Sequence, residues 1–402
     1  MQLVERHIIN ENNKYYDELD HLCLLSKNLY NSTIWRQERE YEKNRKYHNY
    51  NALNRIFIDE NQVDYRSLPA KVANQTMMMV DEAYKSFFEK RKNGDPTAKR
   101  PKYLHKTKGR QTVFYEKGAL SFKRKKGYVA LSKTNIFIKS KIPQEKINFV
   151  QINPKGNHFI IDVGYQIEDV EERKETNRYA SIDLGVNNLI TMSSNVFNPV
   201  IVNGKPVKSI NKFYNKKIAK AQSKLPIGVY SSKHIKNLYK NRTNKIDNYM
   251  HKTSRFITDY LVSNQIDTLV IGYNSGWKQG VNMGKKNNQT FSYIPYTRLI
   301  DLLQYKCDMV GIKIEVREES YTSKCSFLDN EKVCKHEKYL GKRIKRGMFK
   351  SSDGTIINAD VNGSLNILKK YLISKETWNS NIYEDLVRVS STPNVLKIRT
   401  FN

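Results

Sequence analysis

Two aspartates stand where a carboxylate could do chemistry. Asp183 lies in Ala180-Ser-Ile-Asp-Leu-Gly-Val-Asn-Asn-Leu-Ile-Thr-Met-Ser194, which reads as a strand, a tight turn and a second strand. Strand alternation puts Ala180 and Ile182 on one face and Ser181 and Asp183 on the other. Gly185 and Asn187-Asn188 suit the turn. Asp360 lies in Asn358-Ala-Asp-Val-Asn-Gly, where Asn358 is a good N-cap, so Asp360 falls in the first turn of a helix. Its face is shared with Gly363, Ser364 and Ile367, the first two small enough for close packing. An acid at the end of a central strand is costly unless a cation or hydrogen-bond donors meet it. Taken alone, Asp183 is as good a cap for loop amides as it is a metal ligand.

Composition narrows the choice. The chain has 402 residues, with 70 Lys+Arg against 40 Asp+Glu, a formal charge of +30. That excess implies a polyanion partner, and nucleic acid comes first. A hydrophobic share of 39% with 15 Phe, 26 Tyr and 3 Trp is enough for real cores, and the length suggests two to four domains. No apolar run approaches the roughly 18–20 residues of a membrane span, and Met1-Gln-Leu-Val-Glu-Arg has no signal-peptide core. Cys23, Cys307, Cys325 and Cys334 are too few and too scattered for a disulfide framework. A reducing, intracellular setting is expected.

The elements that must position the acids follow from periodicity. Residues 2–9 read as a strand and 14–46 as a helix with Leu19, Leu22, Cys23, Ser26, Leu29, Thr33 and Ile34 on its apolar face. A second helix is expected from Pro69 to Lys92, capped by Ser67, burying Val72, Thr76, Met79, Ala83 and Phe87. Asn93-Gly-Asp-Pro96 breaks it. A basic segment follows, with Lys99, Arg100, Lys102, Tyr103, His105, Lys106, Lys108 and Arg110, the composition of a backbone-contacting loop. Residues 111–167 hold six short strands with hairpin signals, the pattern of a small barrel, and Lys123-Arg124-Lys125-Lys126 would make its rim basic. Residues 168–177 are polar and acidic, a linker. Beyond the opening strands come Val200–Val202, helices over 208–224 and 243–264, the strand Asp267–Gly272, a helix through Leu299–Val310, the strand Lys313–Glu319, a basic insert over 320–354 and the helix after Asn358. This order, β-β-β-α-β-α-β-insert-α, is that of a ribonuclease-H-like sheet, which brings acids of the first strand, a later strand and the last helix together. Residues 375–402 have little periodicity and are expected to be disordered in part.

Three stretches, Asp183-Leu-Gly-Val-Asn-Asn-Leu, Tyr321-Thr-Ser-Lys-Cys325 and Asn358-Ala-Asp-Val-Asn-Gly-Ser-Leu-Asn366, together resemble the RuvC domain of TnpB proteins. These are RNA-guided nucleases of bacterial insertion sequences, related to the type V CRISPR effectors. The resemblance covers nearly the whole chain and implies a multidomain α+β fold. Residues 1–9 and 105–167 resemble the wedge barrel, and 10–104 the helical recognition domain. Residues 168–177 form the linker, and 178–319 with 355–374 the RuvC nuclease. Residues 320–354 form a basic insert in place of a zinc finger, binding target nucleic acid, and 375–402 a tail.

What the resemblance implies is a transposon-encoded endonuclease with a guide RNA from the transposon end, cutting double-stranded DNA next to a short adjacent motif. The location would be the bacterial cytoplasm, at the nucleoid. Carboxylates suit the role, since two or three can hold a pair of Mg²⁺ ions about 4 Å apart, activating water and stabilising the leaving oxygen.

Two departures from the family pattern bear on the site. The strand that carries the second acid in most relatives ends here in Gly272-Tyr273-Asn274, without one. Either the protein binds without cutting, or Glu318-Glu319, at the end of the neighbouring strand, supplies it; strand ends lie about 5 Å apart. Glu319, alternating with Arg317 and Glu315, is preferred, with Glu318 the other candidate. The expected metal set is then Asp183, Glu319 and Asp360. The second departure is zinc: only Cys325, Cys334 and His336 remain, and three irregularly spaced ligands fall short of a structural tetrahedral site. Lys342, Arg343, Lys345 and Arg346 in that insert are expected to touch phosphates instead. Trp277 could stack on a base or be buried against the sheet. Against the guided nuclease stand a nuclease-inactive RNA-guided repressor and an unguided DNA-binding accessory factor of transposition.

Overall fold

A computed structural model describes residues 1–274, 293–390 and 393–396. The segment containing Trp277 lies outside the described residues. The chain divides into two units, Met1–Glu168 and Asp169–Asn402.

The first unit opens with β1 (Gln2–Asn10) and the long helix α1 (Tyr16–Asn44), followed by α2 (Tyr50–Asp59), α3 (Val63–Arg66) and α4 (Ala70–Lys92). All seven expected apolar positions of α1 are buried. In α4 the buried face is Val72, Ala73, Thr76, Met77, Val80 and Tyr84, rotated from the expected Met79, Ala83 and Phe87. Thr76 stays buried in either orientation, and Tyr84 is the position that gains a partner. Thr76 meets Ser26 of α1 at 3.1 Å, and the Tyr84 ring packs 5.0 Å from Tyr47. Ser67 does not cap α4; it closes the short α3, and Pro69 stands at the cap position.

The strands β2 (Val113–Glu116), β3 (Leu120–Ser121), β4 (Tyr128–Leu131), β5 (Phe137–Lys139), β6 (Ile147–Pro154) and β7 (His158–Gln166) form two antiparallel sheets, β1-β7-β6-β2 and β3-β4-β5. In place of one continuous barrel, the two sheets share one core through Val113, Tyr115, Val129, Leu131, Ile138 and Ile161, and among the described residues no ladder joins them.

The second unit holds β8 (Tyr179–Leu184), β9 (Asn188–Ser194), β10 (Val200–Asn203), α5 (Lys205–Gln222), α6 (Lys233–Ser263), β11 (Thr268–Gly272), α7 (Tyr296–Asp308) and β12 (Lys313–Arg317). Next come β13 (Lys342–Lys345), β14 (Met348–Lys350), β15 (Ile356–Asn358), α8 (Ala359–Ser374), α9 (Ser380–Val389) and β16 (Asn394–Leu396). Six strands form one sheet in the order β12-β11-β8-β9-β10-β16. β8, β11 and β12 run parallel, while β9 is antiparallel to β8 and to β10. β8 is therefore central, as the sequence implied. Ala180, Ile182 and Leu184 join a core with Tyr249, Met250, Ile257, Leu299 and Leu303 of α6 and α7. On the opposite face Tyr179 and Val270 pack with Val361, Leu365, Leu368 and Leu372 of α8.

Four expectations change. Residues 168–177 are not simply a linker: Arg173 N–H donates to the Gly311 carbonyl at 2.8 Å, and Thr176 donates from N and Oγ1 to Asp267 Oδ2 at 2.6 and 2.9 Å. Asp267 is 3% exposed, and a buried carboxylate draws such donors to itself. Helix α5 begins at Lys205, because Pro206 starts a helix well. Helix α6 begins ten residues early, capped by Ser232, so that Ile235 and Leu238 can pack on Tyr214 and Ile218. The tail is structured in part, since Trp378, Ile382, Tyr383 and Leu386 around α9 gather with Phe327, and β16 pairs in parallel with β10.

Candidate active site

The site forms where β8, β11 and β12 end beneath the first turn of α8. Ser181 Oγ donates to the Ser364 carbonyl at 2.7 Å, and Ser364 Oγ donates back to the Ser181 carbonyl at 3.0 Å. These reciprocal bonds hold the helix close over β8. Gly363, next to Ser364, then lies against Asp183: a β-carbon there would be 2.9 Å from Asp183 Oδ2. Asn358 accepts from the Asp360 and Val361 amides at 2.9 and 3.2 Å, the N-cap expected from the sequence.

Glu319 arrives by a different route. β12 stops at Arg317, so Glu319 lies in the loop after the strand rather than at its end. Its N–H donates to Asn274 Oδ1 at 3.0 Å, and its carbonyl accepts from Thr322 N and Oγ1 at 3.2 and 2.8 Å. Its Oε2 is buried without a hydrogen-bond partner, 2.9 Å from where a β-carbon on Gly272 would stand. Glu318 takes the other direction, exposed and paired to Lys370 Nζ at 2.5 Å. Of the two glutamates, Glu319 alone joins the cluster.

Electrostatics ties the acids together. Burial, then the charges of Glu319 and Asp360, push the Asp183 carboxyl well above the usual range, with Arg343 opposing them. Burial raises Glu319 to about 7, with Glu318 adding to it. Tyr296, fully buried, has its phenol pushed up by burial and then by Asp183 and Glu319. Asp360 is differently engaged: Oδ2 accepts from Asn188 Nδ2 at 2.7 Å, and Oδ1 meets Arg343 Nη2 at 3.2 Å.

With Asp360 so turned, no three His, Cys, Asp or Glu side chains among the described residues are arranged as a metal cage. The donor set nevertheless suits a hard dication. It is all carboxylate, and the unpartnered oxygen of Glu319 is a buried acceptor with nothing to satisfy it. The cysteine group is the reverse. Cys325 Sγ donates to the Cys334 carbonyl at 3.5 Å, Cys334 Sγ lies 3.4 Å from His336 Nε2, and that nitrogen is 2.7 Å from the Lys332 carbonyl.

The basic residues separate into committed and open. Arg110 makes a bidentate pair with Asp20 at 2.7 and 2.6 Å, so it serves the fold. Arg100 stacks on Tyr41, and Tyr103 donates to Glu38. With Lys99 and Lys102 they line an open groove. Lys106 and Lys108 are exposed. On the β3–β4 turn Lys123, Arg124, Lys125 and Lys126 are exposed, Arg124 over Phe137 and Lys125 over Tyr128. Lys342, Arg343, Lys345 and Arg346 are exposed on the β13–β14 hairpin.

Four members of the site carry no sign of it in the sequence: Asn188, which suits a turn, and Gly272, Asn274 and Tyr296. In the sequence, Gly272-Tyr273-Asn274 shows only what it lacks, an acid.

A family model described as a probable transposase, the OrfB family of IS605, matches residues 162–278, and one described as Cas12f1-like, TNB domain, matches 296–367. These matches make the chain similar to TnpB-like proteins and type V effectors. It is 27% identical over 204 residues to the TnpB-like protein ORF457 of Acidianus two-tailed virus, covering 48% of this chain and 42% of that one. It is 26% identical over 234 residues to the CRISPR-associated endodeoxyribonuclease Cas12f2 of a Micrarchaeota archaeon, covering 54% and 41%. The matches thus span less than half the length of either relative. The fold is shared with Cas12f1 in a Cas12f1–sgRNA–target DNA complex, with a TM-score of 0.55 at 14% identity over 88% of this chain and 82% of that one. No helix among the described residues is long and apolar enough to cross a membrane.

Proposed function

We propose that the chain is a guide-RNA-dependent, Mg²⁺-dependent endonuclease that cuts double-stranded DNA beside a short adjacent motif, and that it is encoded by a transposon. One observation carries the reading: Asp183, buried near the end of β8, lies close enough to Glu319 and Asp360, acids from distant parts of the sequence, for both charges to act on it, and a Glu319 oxygen is left buried and unpartnered.

In this reading Asp183, Glu319 and Asp360 hold the metal. Bound there, Mg²⁺ supplies an activated water and charge stabilisation for the leaving oxygen. The chain's own groups do the rest. Asn188 orients Asp360 through its carboxyl oxygen. Arg343 releases Asp360 and turns to a phosphate, an exchange between two oxyanions for which a guanidinium is suited. The open lysines and arginines hold RNA and DNA by their backbones, while base pairing selects the target.

The test uses the full chain purified from cells that also express its flanking DNA. RNA bound to the protein is sequenced, and a plasmid library carrying the matching target beside randomised flanks is incubated with Mg²⁺. Cleavage restricted to one flanking motif and lost in Asp183→Ala is expected. Cleavage that survives Asp183→Ala would overturn the site. A second reading, an RNA-guided binder that does not cut, is favoured by the engagement of Asp360 with Arg343. Guided binding to the target with no product at any Mg²⁺ concentration would select it. Purification without RNA would leave the unguided accessory factor.

A further inference from the structure

Gly272 is a buried glycine whose backbone does not require glycine. Its φ is not among the positive values of the described chain, so an L-residue could adopt the same conformation. What glycine supplies is room. A β-carbon at 272 would meet Glu319 Oε2 at 2.9 Å, and Ile367 Cδ1 and Cγ1 at 2.3 and 3.0 Å. The oxygen it would crowd is the one with no hydrogen-bond partner.

The residues that follow track the loop that carries Glu319. Gly272 pairs with Arg317 in the ladder, and Tyr273 N–H donates to the Arg317 carbonyl at 2.9 Å. Asn274 Oδ1 then accepts the Glu319 N–H at 3.0 Å. With Thr322 held on the Glu319 carbonyl, the peptide is fixed on both sides, and the side chain is directed over the end of β11. The strand end without an acid is therefore shaped around an acid from its neighbour.

We infer that Gly272 and Asn274 are positioning residues for Glu319. Gly272 leaves free the volume Oε2 occupies, and Asn274 fixes the peptide that aims it. The inference rests on the nuclease reading for the role of Glu319, and its test separates the two.

The experiment titrates Mn²⁺ into the full chain stripped with EDTA, following the electron paramagnetic resonance of free Mn²⁺, with thermal melting in EDTA alongside. The parent chain is expected to bind Mn²⁺ at a site that Asp183→Ala removes. Gly272→Ala and Asn274→Ala are each expected to weaken that binding about 10-fold or more, the usual consequence of losing an outer partner of a ligand. Ile367→Val removes the closest clash, so the pair Gly272→Ala with Ile367→Val is expected to melt closer to the parent than Gly272→Ala does, while still binding Mn²⁺ weakly. Return of parent affinity in that pair would overturn the inference for Gly272, leaving it a packing residue for Ile367. Unchanged affinity in Asn274→Ala would overturn the inference for Asn274. If the parent binds no more Mn²⁺ than Asp183→Ala does, the nuclease reading fails and the inference with it. Should Gly272→Ala not fold, the paired variant and Asn274→Ala still decide.

Discussion

Two groups of metal-ligating residue types lie in the second unit, and they differ in what the protein has already done with them. The soft group, Cys325, Cys334 and His336, is internally satisfied. Glu331 beside it is occupied as well, accepting from the Ser326 and Leu340 amides at 2.6 and 3.0 Å. Burial holds the Cys325 thiol above its usual range, in the protonated form that ligates poorly. The hard group, Asp183, Glu319 and Asp360, has acids crowded against one another and an oxygen with no partner. Ligand-type residues near one another do not make a site. What distinguishes the hard group is the combination of acids near enough to raise one another and an oxygen whose desolvation is uncompensated.

The comparison breaks most directly at Asp183. Asp183→Asn is expected to reduce cleavage by more than the roughly 100-fold that losing an outer-shell partner costs, measured as plasmid nicking and linearisation. Glu319→Gln should be nearly as damaging, whereas Glu318→Gln should stay within about twofold, since it loses only an exposed ion pair with Lys370. Equal effects of the two would remove the distinction between them.

Acidity gives a finer test. The folded pKa of Glu319, about 7, stands above its ordinary 4.5, and Asp183 is raised as well. Stability from these groups is therefore fully present below the ordinary carboxylate range and is lost as pH rises toward 7. In EDTA the melting temperature should fall across that window, and Glu319→Gln should flatten the fall. A profile unchanged by the substitution would contradict the burial of Glu319. The smallest effect belongs to the soft group: a zinc-selective chelator should leave melting unchanged, and Cys334→Ser should alter stability by no more than about 0.5 kcal/mol. A clear drop with the chelator would erase the contrast.

The sheet was legible because its strands are short and apolar, and because capping and alternation placed Asp183 and Asp360 on elements that must meet. The rotation of α4 was not, because the side carrying Val80 and Tyr84 is chosen by packing on Ile34 and Tyr47, residues distant in the chain. Glu319 could be preferred over Glu318 by strand alternation, but β12 stops at Arg317, and what divides the two is a turn fixed by Asn274 and Thr322, residues far apart in the chain. Tyr296 gave no signal because a buried tyrosine on an apolar helix face looks like any core aromatic. Arg110 looked like a phosphate contact, and nothing local reveals its pairing with Asp20, 90 residues away.

Helix α8 holds more than Asp360. Asn362 donates to the Cys325 carbonyl at 2.9 Å and accepts from Phe327 N–H at 3.0 Å, while Asn366 donates to the carbonyls of Thr322 and Cys325 at 2.9 and 2.8 Å. The root of the insert is thereby riveted to the helix, and the hairpin of β13 and β14 is tied to it as well, through the β14–β15 ladder, the Ala359 N–H donated to the Gly347 carbonyl at 3.1 Å and the buried Phe349. Residues 322–327 thus form a mounting for the helix that carries Asp360, so a substitution that loosens this root is expected to reach the acid cluster without touching it.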